Sequence, residues 1–168
     1  KRGLTAVTNP ASNLKLASGI APVKRFLDEG IALAIGTDGP ASNNCLDMFR
    51  EMFLTTALAK VRENDAACVP AEEVLYMATT EGARCMGLSD CDRLAVGKKA
   101  DLIMIDLCQP NMQPENNILK NIVYSGSKQN VAMTMVNGRI LYERGVFDIG
   151  FDPKEVYAKA NAVIRRMK

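Results

Sequence analysis

The sequence predicts an α/β fold in which strand–helix–strand units lead into a β-rich part and a final helix. A β-branched run at 4–8 and an aliphatic run at 31–35 enclose a helix-like segment at 22–29. Further on, an Asn-Gly pair at 137–138 joins two apolar runs, which is typical of a β-hairpin. An Asp-Pro pair at 152–153 then opens an amphipathic stretch. We expect three regions from these patterns: 1–90, 91–150 and 151–168.

Composition bounds the class of protein. The 168 residues are 48% apolar and 24% charged, which is ordinary for a globular domain. The formal charge of +2 is too small to favour nucleic acid as a partner. The longest aliphatic run, Ile31 to Ile35, has five residues and is too short to cross a bilayer, so no membrane partner is expected. No targeting segment is visible. The five cysteines, which are odd in number, are those expected of reduced thiols in a cytoplasmic protein.

Histidine is absent, and this absence excludes several chemistries for a chain that works alone. A Ser-His-Asp triad, a Cys-His dyad and a His-ligated zinc site all need an imidazole. The five cysteines include no C-x-x-C pair and are expected to be reduced thiols. Because residue 1 is Lys, we expect the chain to be part of a longer one.

The first region is predicted to contain two strands and three helices. Leu4–Thr8 forms a strand that runs into a loop at 9–19, and 22–29 forms a short helix. Ile31–Ile35 is a buried strand, because it is apolar throughout rather than alternating. An amphipathic helix follows from residue 46 to 61, and its apolar stripe runs from Leu46 through Met52 to Val61. Pro70 to Leu88 then reads as one more helix.

The second region is predicted to be mostly β, and the third to be a helix. Leu102–Ile105 and Val131–Val136 are apolar runs that predict strands, the second of which enters the Asn-Gly hairpin. In the last region Asp152 and Glu155 are spaced as a capping box. The helix that follows carries an apolar stripe made of Val156, Tyr157, Ala160, Val163, Ile164 and Met167.

Candidate chemistry lies in two polar segments that follow the predicted strands. Asp38 comes directly after the buried strand and could ligate a metal or act as a general base. Alternatively, Asp38 and Asn43 merely cap the turn into the next helix. In the segment 9–19, Asn13 and its neighbours could donate hydrogen bonds to a polar ligand, or the segment could be an ordinary connection. One carboxylate cannot hold a transition metal alone.

Four segments, in order, resemble the metal-dependent amidohydrolases, and most closely their branch of S-adenosylhomocysteine and 5′-methylthioadenosine deaminases and triazine chlorohydrolases. The first, at 9–23, reads Asn-Pro-Ala-Ser-Asn-Leu-Lys-Leu-Ala-Ser-Gly and onward to Val23. The second, at 36–49, holds Gly-Thr-Asp-Gly and Ser-Asn-Asn. The other two are Gly-Lys-Lys-Ala-Asp-Leu at 97–102 and Val-Asn-Gly-Arg at 136–139. The resemblance covers nearly the whole chain.

The resemblance implies the C-terminal portion of an enzyme that deaminates a purine nucleoside. Residues 1–90 would be the last βα units of a TIM-type barrel, and 91–150 part of a small β-sandwich. A divalent metal, zinc or iron, would activate the attacking water in the full-length parent, with none expected in this chain alone. Asp38 would touch the metal and shuttle the proton, while Ser42 would lie beside the substrate.

The family's histidines and acid–base glutamate would lie upstream of Lys1, so the isolated chain is expected to be inactive. Thr8 stands where members usually carry histidine. Alternatives that stay open are a portion of a triazine chlorohydrolase or guanine deaminase, and a degenerate module for assembly or binding. Expected partners are a small-molecule substrate, the missing N-terminal barrel portion and, through unpaired strand edges, further copies of the chain.

Overall fold

The computed structural model describes residues 4–167. Within that range the chain forms seven α-helices and two β-sheets, one parallel and one antiparallel. The first three residues of the expected barrel portion and Lys168 of the expected final helix lie outside the described residues. The mixed α/β class predicted from the sequence is confirmed. No helix among the described residues is long and apolar enough to cross a bilayer.

The parallel sheet pairs the two strands predicted near the start of the chain. Strand β1 (Ala6–Thr8) lies beside β2 (Leu33–Ile35), with Ala6 opposite Leu33 and Thr8 opposite Ile35. All three residues of β2 are buried, as its uninterrupted apolar run predicted. Helix α2 (Val23–Asp28) crosses between the strands and buries Val23.

One prediction for this region was wrong, because the segment 9–19 is not only a loop. Residues Pro10–Lys15 form helix α1, with proline at its start. Its Pro-Ala-Ser-Asn sequence is typical of turns, and Ser and Asn are weak helix formers. Tertiary contacts decide here: Ala11 and Ser12 are buried, and the backbone N–H of Ala11 donates to the buried Glu51.

Helix α3 (Met48–Glu63) agrees closely with the prediction. Asp47 caps it by accepting a hydrogen bond from the N–H of Phe49 at 3.0 Å, and Asn64 ends it in the left-handed conformation with φ of 52°. Phe49 and Met52 enter the core. The predicted stripe is only partly buried, because Val61 is 76% exposed.

The predicted helix at 70–88 is divided in two. Helix α4 (Ala71–Ala78) ends where Thr79 adopts φ of −117° and ψ of −86°, and α5 (Thr80–Cys85) begins directly after it. The Thr79 hydroxyl donates to the carbonyl of Leu75 at 2.7 Å. A hydroxyl that bonds back along the helix competes with the regular backbone ladder and bends it. This local competition was not visible in the apolar spacing.

Ion pairs hold the chain between α5 and the following strand. Asp92 is buried, and its carboxylate lies 2.8 Å from Lys98 Nζ and 3.3 Å from Arg84 Nε. The ammonium of Lys98, more than any other group, lowers the pKa of Asp92. The turn at 97–101 is therefore linked to α5 through the carboxylate of Asp92, which pairs with Lys98 of the turn and with Arg84 of the helix.

The antiparallel sheet contains four strands in sequence order. They are β3 (Leu102–Ile105), β4 (Val131–Val136), β5 (Arg139–Glu143) and β6 (Val146–Phe147). Asn137 and Gly138 have φ of 49° and 80°, so both turn positions of the predicted hairpin are left-handed. The two predicted strands β3 and β4 are confirmed to the residue.

Two further helices complete the chain. Helix α6 (Ile118–Tyr124), capped by Asn117, was missed by the prediction of a mostly β segment. Its Val123 is fully buried in the core, so packing against α3 and α4 selects the helix. Helix α7 (Pro153–Arg166) was predicted, and Asp152 caps it by accepting from Lys154 N. This bond to the second helical residue takes the place of the expected bond in a capping box with Glu155.

The core lies between β2 and the helices that cover it. Side chains from α2, α3, α4 and α6 meet the buried strand in one apolar cluster. Its larger members are Val23, Leu33, Ile35, Phe49, Met52, Val74, Met77 and Val123. The cluster therefore joins α6, from the β-rich part of the sequence, to the helices of the first part.

A close contact in this core makes a testable prediction for Gly126. A Cβ at this position would press on the carbonyl oxygen of Ile122 and come within 2.8 Å of Phe49 Cδ1. Because the backbone and a core ring cannot move away cheaply, we expect Gly126→Ala to lower the free energy of unfolding by about 1–3 kcal/mol. Urea denaturation of the 168-residue chain measures this change.

The matched control is Gly82→Ala in α5. A Cβ there meets only the Met77 carbonyl oxygen at 3.5 Å, an ordinary contact. Alanine in a helix is favoured over glycine, so this variant should gain about 0.5–1 kcal/mol. Equal effects of the two substitutions would contradict the packing described for Gly126.

Candidate functional site

The carboxyl ends of the parallel strands β1 and β2 bring the two polar segments of the sequence together. Helix α1 follows β1, and the loop containing Asp38 follows β2. The N–H of Gly36 donates to the carbonyl of Thr8 at 2.9 Å and extends the pairing by one bond. A Cβ at Gly36 would lie only 2.5 Å from Asn9 Oδ1, so a larger residue here would require the Asn9 side chain to move. Ligands bind at this end of parallel strands in α/β folds.

Asp38 is the central group of the candidate site. Its side chain is exposed, and its backbone is in the left-handed region with φ of 58°, which is uncommon for a residue other than glycine. The carboxylate oxygen Oδ2 accepts hydrogen bonds from Ser42 Oγ at 2.6 Å and Ser12 Oγ at 2.7 Å. These bonds, first that of Ser42, then those of Ser12 and the Gly39 backbone, lower the pKa of Asp38. The carboxylate is therefore held in its ionised form.

The alternative interpretation of this loop, in which Asp38 merely caps the turn into α3, does not fit the hydrogen bonds of Asp38. The cap of α3 is Asp47, and the carboxylate of Asp38 is bound instead by two serine hydroxyls. Asn43 does take a supporting role, because its Oδ1 accepts from the N–H of Cys45 at 3.2 Å. In this loop Asp38 therefore presents an exposed carboxylate, whereas Asn43 stabilises the backbone of the loop.

The other two predicted site residues have different surroundings. Ser42 lies against Asp38, as its hydrogen bond shows. Asn13 is half-buried and borders a small cavity that is also lined by Thr8 and Thr55. The α1 side chain that contacts Asp38 is Ser12, one residue earlier. Sequence reasoning missed Ser12 because, without knowledge of α1, nothing indicated which side chain of that segment turns toward the second strand.

Lys15 fastens α1 to the loop that carries Asp38. Its Nζ donates to the carbonyl of Ala41 at 2.8 Å and to Asn44 Oδ1 at 2.7 Å. The ammonium group therefore spans from the end of α1 to the far side of the loop. Lys15 is exposed, and its ammonium group binds two oxygens of the loop at the surface.

A buried carboxylate on α3 is hydrogen-bonded to both α1 and the loop that carries Asp38. Glu51 of α3 is fully buried. Its Oε2 accepts from the N–H of Ala11 at 2.9 Å, and its Oε1 accepts from Asn43 Nδ2 at 2.7 Å. The same Asn43 amide donates to the carbonyl of Thr37 at 2.8 Å. Glu51 is thus linked to the residues next to Ser12 and next to Asp38, the two sides of the site. Its apolar surroundings in the sequence gave no signal of this.

Residues 4–167, the part that the structure describes, contain no cluster of side chains that could hold a metal ion by itself. Among the described residues there is no group of three His, Cys, Asp or Glu side chains placed to hold an ion. Asp38 offers a single carboxylate, and the sequence contains no histidine. One oxygen donor is too few for a transition metal, which takes four or more ligands.

The geometry predicts that Glu51→Gln is strongly destabilising. Both partners of Glu51 are donors, whereas a glutamine has only one acceptor oxygen and would turn its own NH₂ toward a second donor. We expect a loss of about 1–3 kcal/mol in the free energy of unfolding, the cost of an unsatisfied buried group. Urea denaturation provides the measurement.

The control for this substitution is Glu72→Gln, because Glu72 is exposed on α4. Exposed substitutions usually change stability by less than about 0.5 kcal/mol. A Glu51→Gln chain as stable as this control would show that the buried hydrogen bonds are not needed.

A second prediction concerns the titration of Asp38. Replacing both serines with alanine, Ser12→Ala and Ser42→Ala, removes the donors that favour the carboxylate, so the pKa of Asp38 should rise toward its ordinary value. Because the folded-state pKa is lowered, the stabilisation by this group is present above the unfolded pKa and is lost as the pH falls through the folded value. Carboxyl ¹³C NMR between about pH 2 and pH 6 follows this titration, since the ordinary pKa of Asp is about 3.9.

Ser18→Ala serves as the comparison, because Ser18 is exposed and is not among the donors to Asp38. An unchanged Asp38 titration in the double variant would mean that the two hydroxyls do not set its charge state.

Comparison with known proteins places this arrangement in a family. The sequence profile of the amidohydrolase family matches residues 1–141. The chain is 47% identical over 159 residues to a 5-methylthioadenosine/S-adenosylhomocysteine deaminase of Moorella thermoacetica, covering 94% of this chain and 36% of that protein. The chain thus spans about a third of the length of the curated relatives it matches.

Solved structures agree with the sequence comparison. A zinc-bound adenosine deaminase from Xanthomonas campestris superposes with a TM-score of 0.93 at 38% identity, over 98% of this chain and 38% of that one. A zinc-bound atrazine chlorohydrolase from Arthrobacter aurescens superposes with a TM-score of 0.86 at 26% identity, over 96% of this chain and 36% of that one. The two parallel strands and their polar ends are therefore part of a known architecture, and the chain belongs to the amidohydrolase family.

Proposed function

We propose that this chain is the Asp38-bearing, C-terminal portion of a hydrolase that deaminates a purine nucleoside of the 5′-methylthioadenosine or S-adenosylhomocysteine type. The observation that carries this proposal is the ionised Asp38 carboxylate, exposed at the carboxyl end of β2 and held by two serine hydroxyls. The deaminase names of the relatives at 46–47% identity support the substrate class. Membership of the family supports hydrolysis of a C–N bond.

The proposal includes a place for each part of the chain. Residues 1–90 would be the last βα units of a TIM-type barrel, since β1 and β2 are parallel and joined through helices. Residues 91–150 would be part of a β-sandwich, since β3 to β6 form an antiparallel sheet. Residues 151–168 would add the final helix. The rest of the barrel, and of the active site, would come from an N-terminal portion of the same protein.

Within this active site Asp38 would take the part of proton carrier. An ionised carboxylate can accept a proton from the attacking water and deliver it to the leaving amino group. The hydroxyl of Ser42 holds the carboxylate at 2.6 Å and would lie beside the substrate. Asn13, half-buried beside the cavity near Thr8, would offer its amide to the substrate from the side of α1.

Asp38 would also be one ligand of a divalent metal, zinc or iron, in the complete protein. A bound divalent metal supplies Lewis-acid chemistry and makes water nucleophilic at neutral pH. The zinc in the Xanthomonas and Arthrobacter structures supports this assignment. The remaining ligands would have to come from outside this chain, because it offers no histidine.

Two other functions have an observation in their favour. Release of chloride from a triazine is supported by the Arthrobacter enzyme, although at 26% identity, well below the nucleoside deaminases. A non-catalytic module for assembly or binding is supported by Thr8, a buried residue at the end of β1 where family members usually carry histidine. Guanine is a third candidate substrate, and turnover assays with guanine and with 5′-methylthioadenosine would distinguish the two.

The proposal predicts that the isolated chain neither retains stoichiometric zinc nor deaminates 5′-methylthioadenosine. The physical reason is that a single carboxylate cannot bind the metal or activate water alone. Metal analysis after gel filtration and an absorbance assay for the 5′-methylthioinosine product measure both. Robust turnover by the 168-residue chain would contradict the proposal.

Joining the chain to the part of the Xanthomonas enzyme that it does not cover should restore deamination. In this chimera Asp38→Asn should reduce turnover by about 10²–10⁴-fold, the usual contribution of a proton-transferring group. Asp28→Asn, at an exposed salt bridge on α2, is the matched control and should leave turnover unchanged. A folded, zinc-loaded chimera that is inactive with every substrate would favour the binding module. An active chimera whose turnover is unaffected by Asp38→Asn would contradict the role of Asp38 as proton carrier.

A further inference from the structure

Helix α7 stands apart from the rest of the described chain. None of its residues is buried, although the helix is 14 residues long. Its cap is formed by the neighbouring Asp152, and its one ion pair joins Lys159 to Glu155 within the helix. Isolated helices of this length are marginal in water, and packing of an apolar face normally stabilises them. Within this chain α7 has no such packing.

The helix nevertheless has a well-formed apolar face. Five large side chains recur at the spacing of one helical stripe and are 43–77% exposed: Val156, Tyr157, Val163, Ile164 and Met167. The opposite face carries Ala158, Ala162 and Arg165. A continuous stripe of this size on a helix with nothing against it indicates a docking surface.

The superposition with the Xanthomonas enzyme indicates what covers the stripe. It includes 98% of this chain, so it omits about three of 168 residues, far fewer than the 14 of α7. Because so few residues are omitted, most of α7 belongs to the superposed part. The superposed part is 38% of that protein's chain, so the larger portion of it lies outside. That portion is available to cover the stripe, which contacts among the described residues leave exposed.

We propose that the apolar stripe of α7 is the docking surface for the part of an amidohydrolase chain that lies outside this C-terminal third. The occupant is an apolar surface on the remainder of the fold, which is complementary to the apolar stripe. The stripe becomes buried when α7 packs against this surface. The inference depends on membership of the family and on the shared placement of α7. It does not depend on deamination or on the substrate.

Hydrogen exchange on α7 tests this proposal in the chimera with the Xanthomonas enzyme. In the isolated 168-residue chain, the α7 amides should exchange as in a frayed helix. In the chimera they should exchange at least about tenfold more slowly, because opening then requires separation from a packed surface. Circular dichroism and zinc binding establish separately that the chimera is folded.

Two double variants identify the stripe as the cause. Val163→Asp with Ile164→Asp places two charges in the stripe and should abolish the protection of α7. Ala158→Asp with Ala162→Asp places the same charges on the opposite face and should leave the protection in place. Equal loss in both variants, or no protection of α7 in the folded chimera, would overturn the proposal.

The same substitutions in the intact Xanthomonas enzyme give a second measurement if the chimera does not fold. Asp at the two positions that superpose on Val163 and Ile164 should lower its midpoint of thermal unfolding by several degrees more than Asp at those that superpose on Ala158 and Ala162. Equal midpoints would contradict the proposal.

Other occupants of the stripe give different results with the isolated chain. Concentration-dependent dimerisation that the Val163→Asp, Ile164→Asp variant abolishes would assign the stripe to a second copy. Binding of the chain to vesicles of anionic phospholipid, lost in the same variant, would assign it to a membrane surface. Either outcome would overturn the proposal, and neither bears on the deaminase activity.

Discussion

The two hydrogen bonds accepted by the buried Glu51 are the constraint on which the candidate site depends. A carboxylate without access to water must find donors within the protein, and here they are the first turn of α1 and the amide of Asn43. Both donors belong to segments that follow parallel strands, so one side chain on α3 sets the distance between them. Asp38, the proposed functional group, is two steps removed from this anchor and is exposed. A rigid, buried carboxylate thus supports an exposed one.

The same arrangement explains how an aspartate can occupy a left-handed backbone conformation. A positive φ costs energy in any residue with a Cβ, and structures tolerate it where the surroundings fix the chain from several sides. Around Asp38 these sides are the Ser12 and Ser42 hydroxyls, the Asn43 bond to Thr37 and the Lys15 bridge to Ala41 and Asn44. The loop is therefore preorganised before any ligand binds, and the charge of Asp38 is part of what holds it.

The sequence predicted well those elements whose pattern matches a single local cause. The uninterrupted apolar runs at β2 and β3, the mostly apolar run at β4 and the Asn-Gly turn were found because burial and turn chemistry can be read from a few adjacent residues. Helices α1 and α6, by contrast, are selected by contacts with α3, far away in sequence. Asp38 could be proposed from its position after a strand, and Ser42 from the family resemblance. The parts played by Ser12 and Glu51 could not, because they depend on which faces meet across 26 and 40 residues.

Two glycines of the loop after β2 differ in what they permit. Gly36 is enclosed by Asn9 and Val7, whereas no atom lies within 4 Å of where a Cβ of Gly39 would stand. Natural drift or laboratory evolution of this region is consequently channelled. At the stem of the loop a larger residue would require the Asn9 side chain to move, while the tip, beside the Asp38 carboxylate, has room for a new side chain.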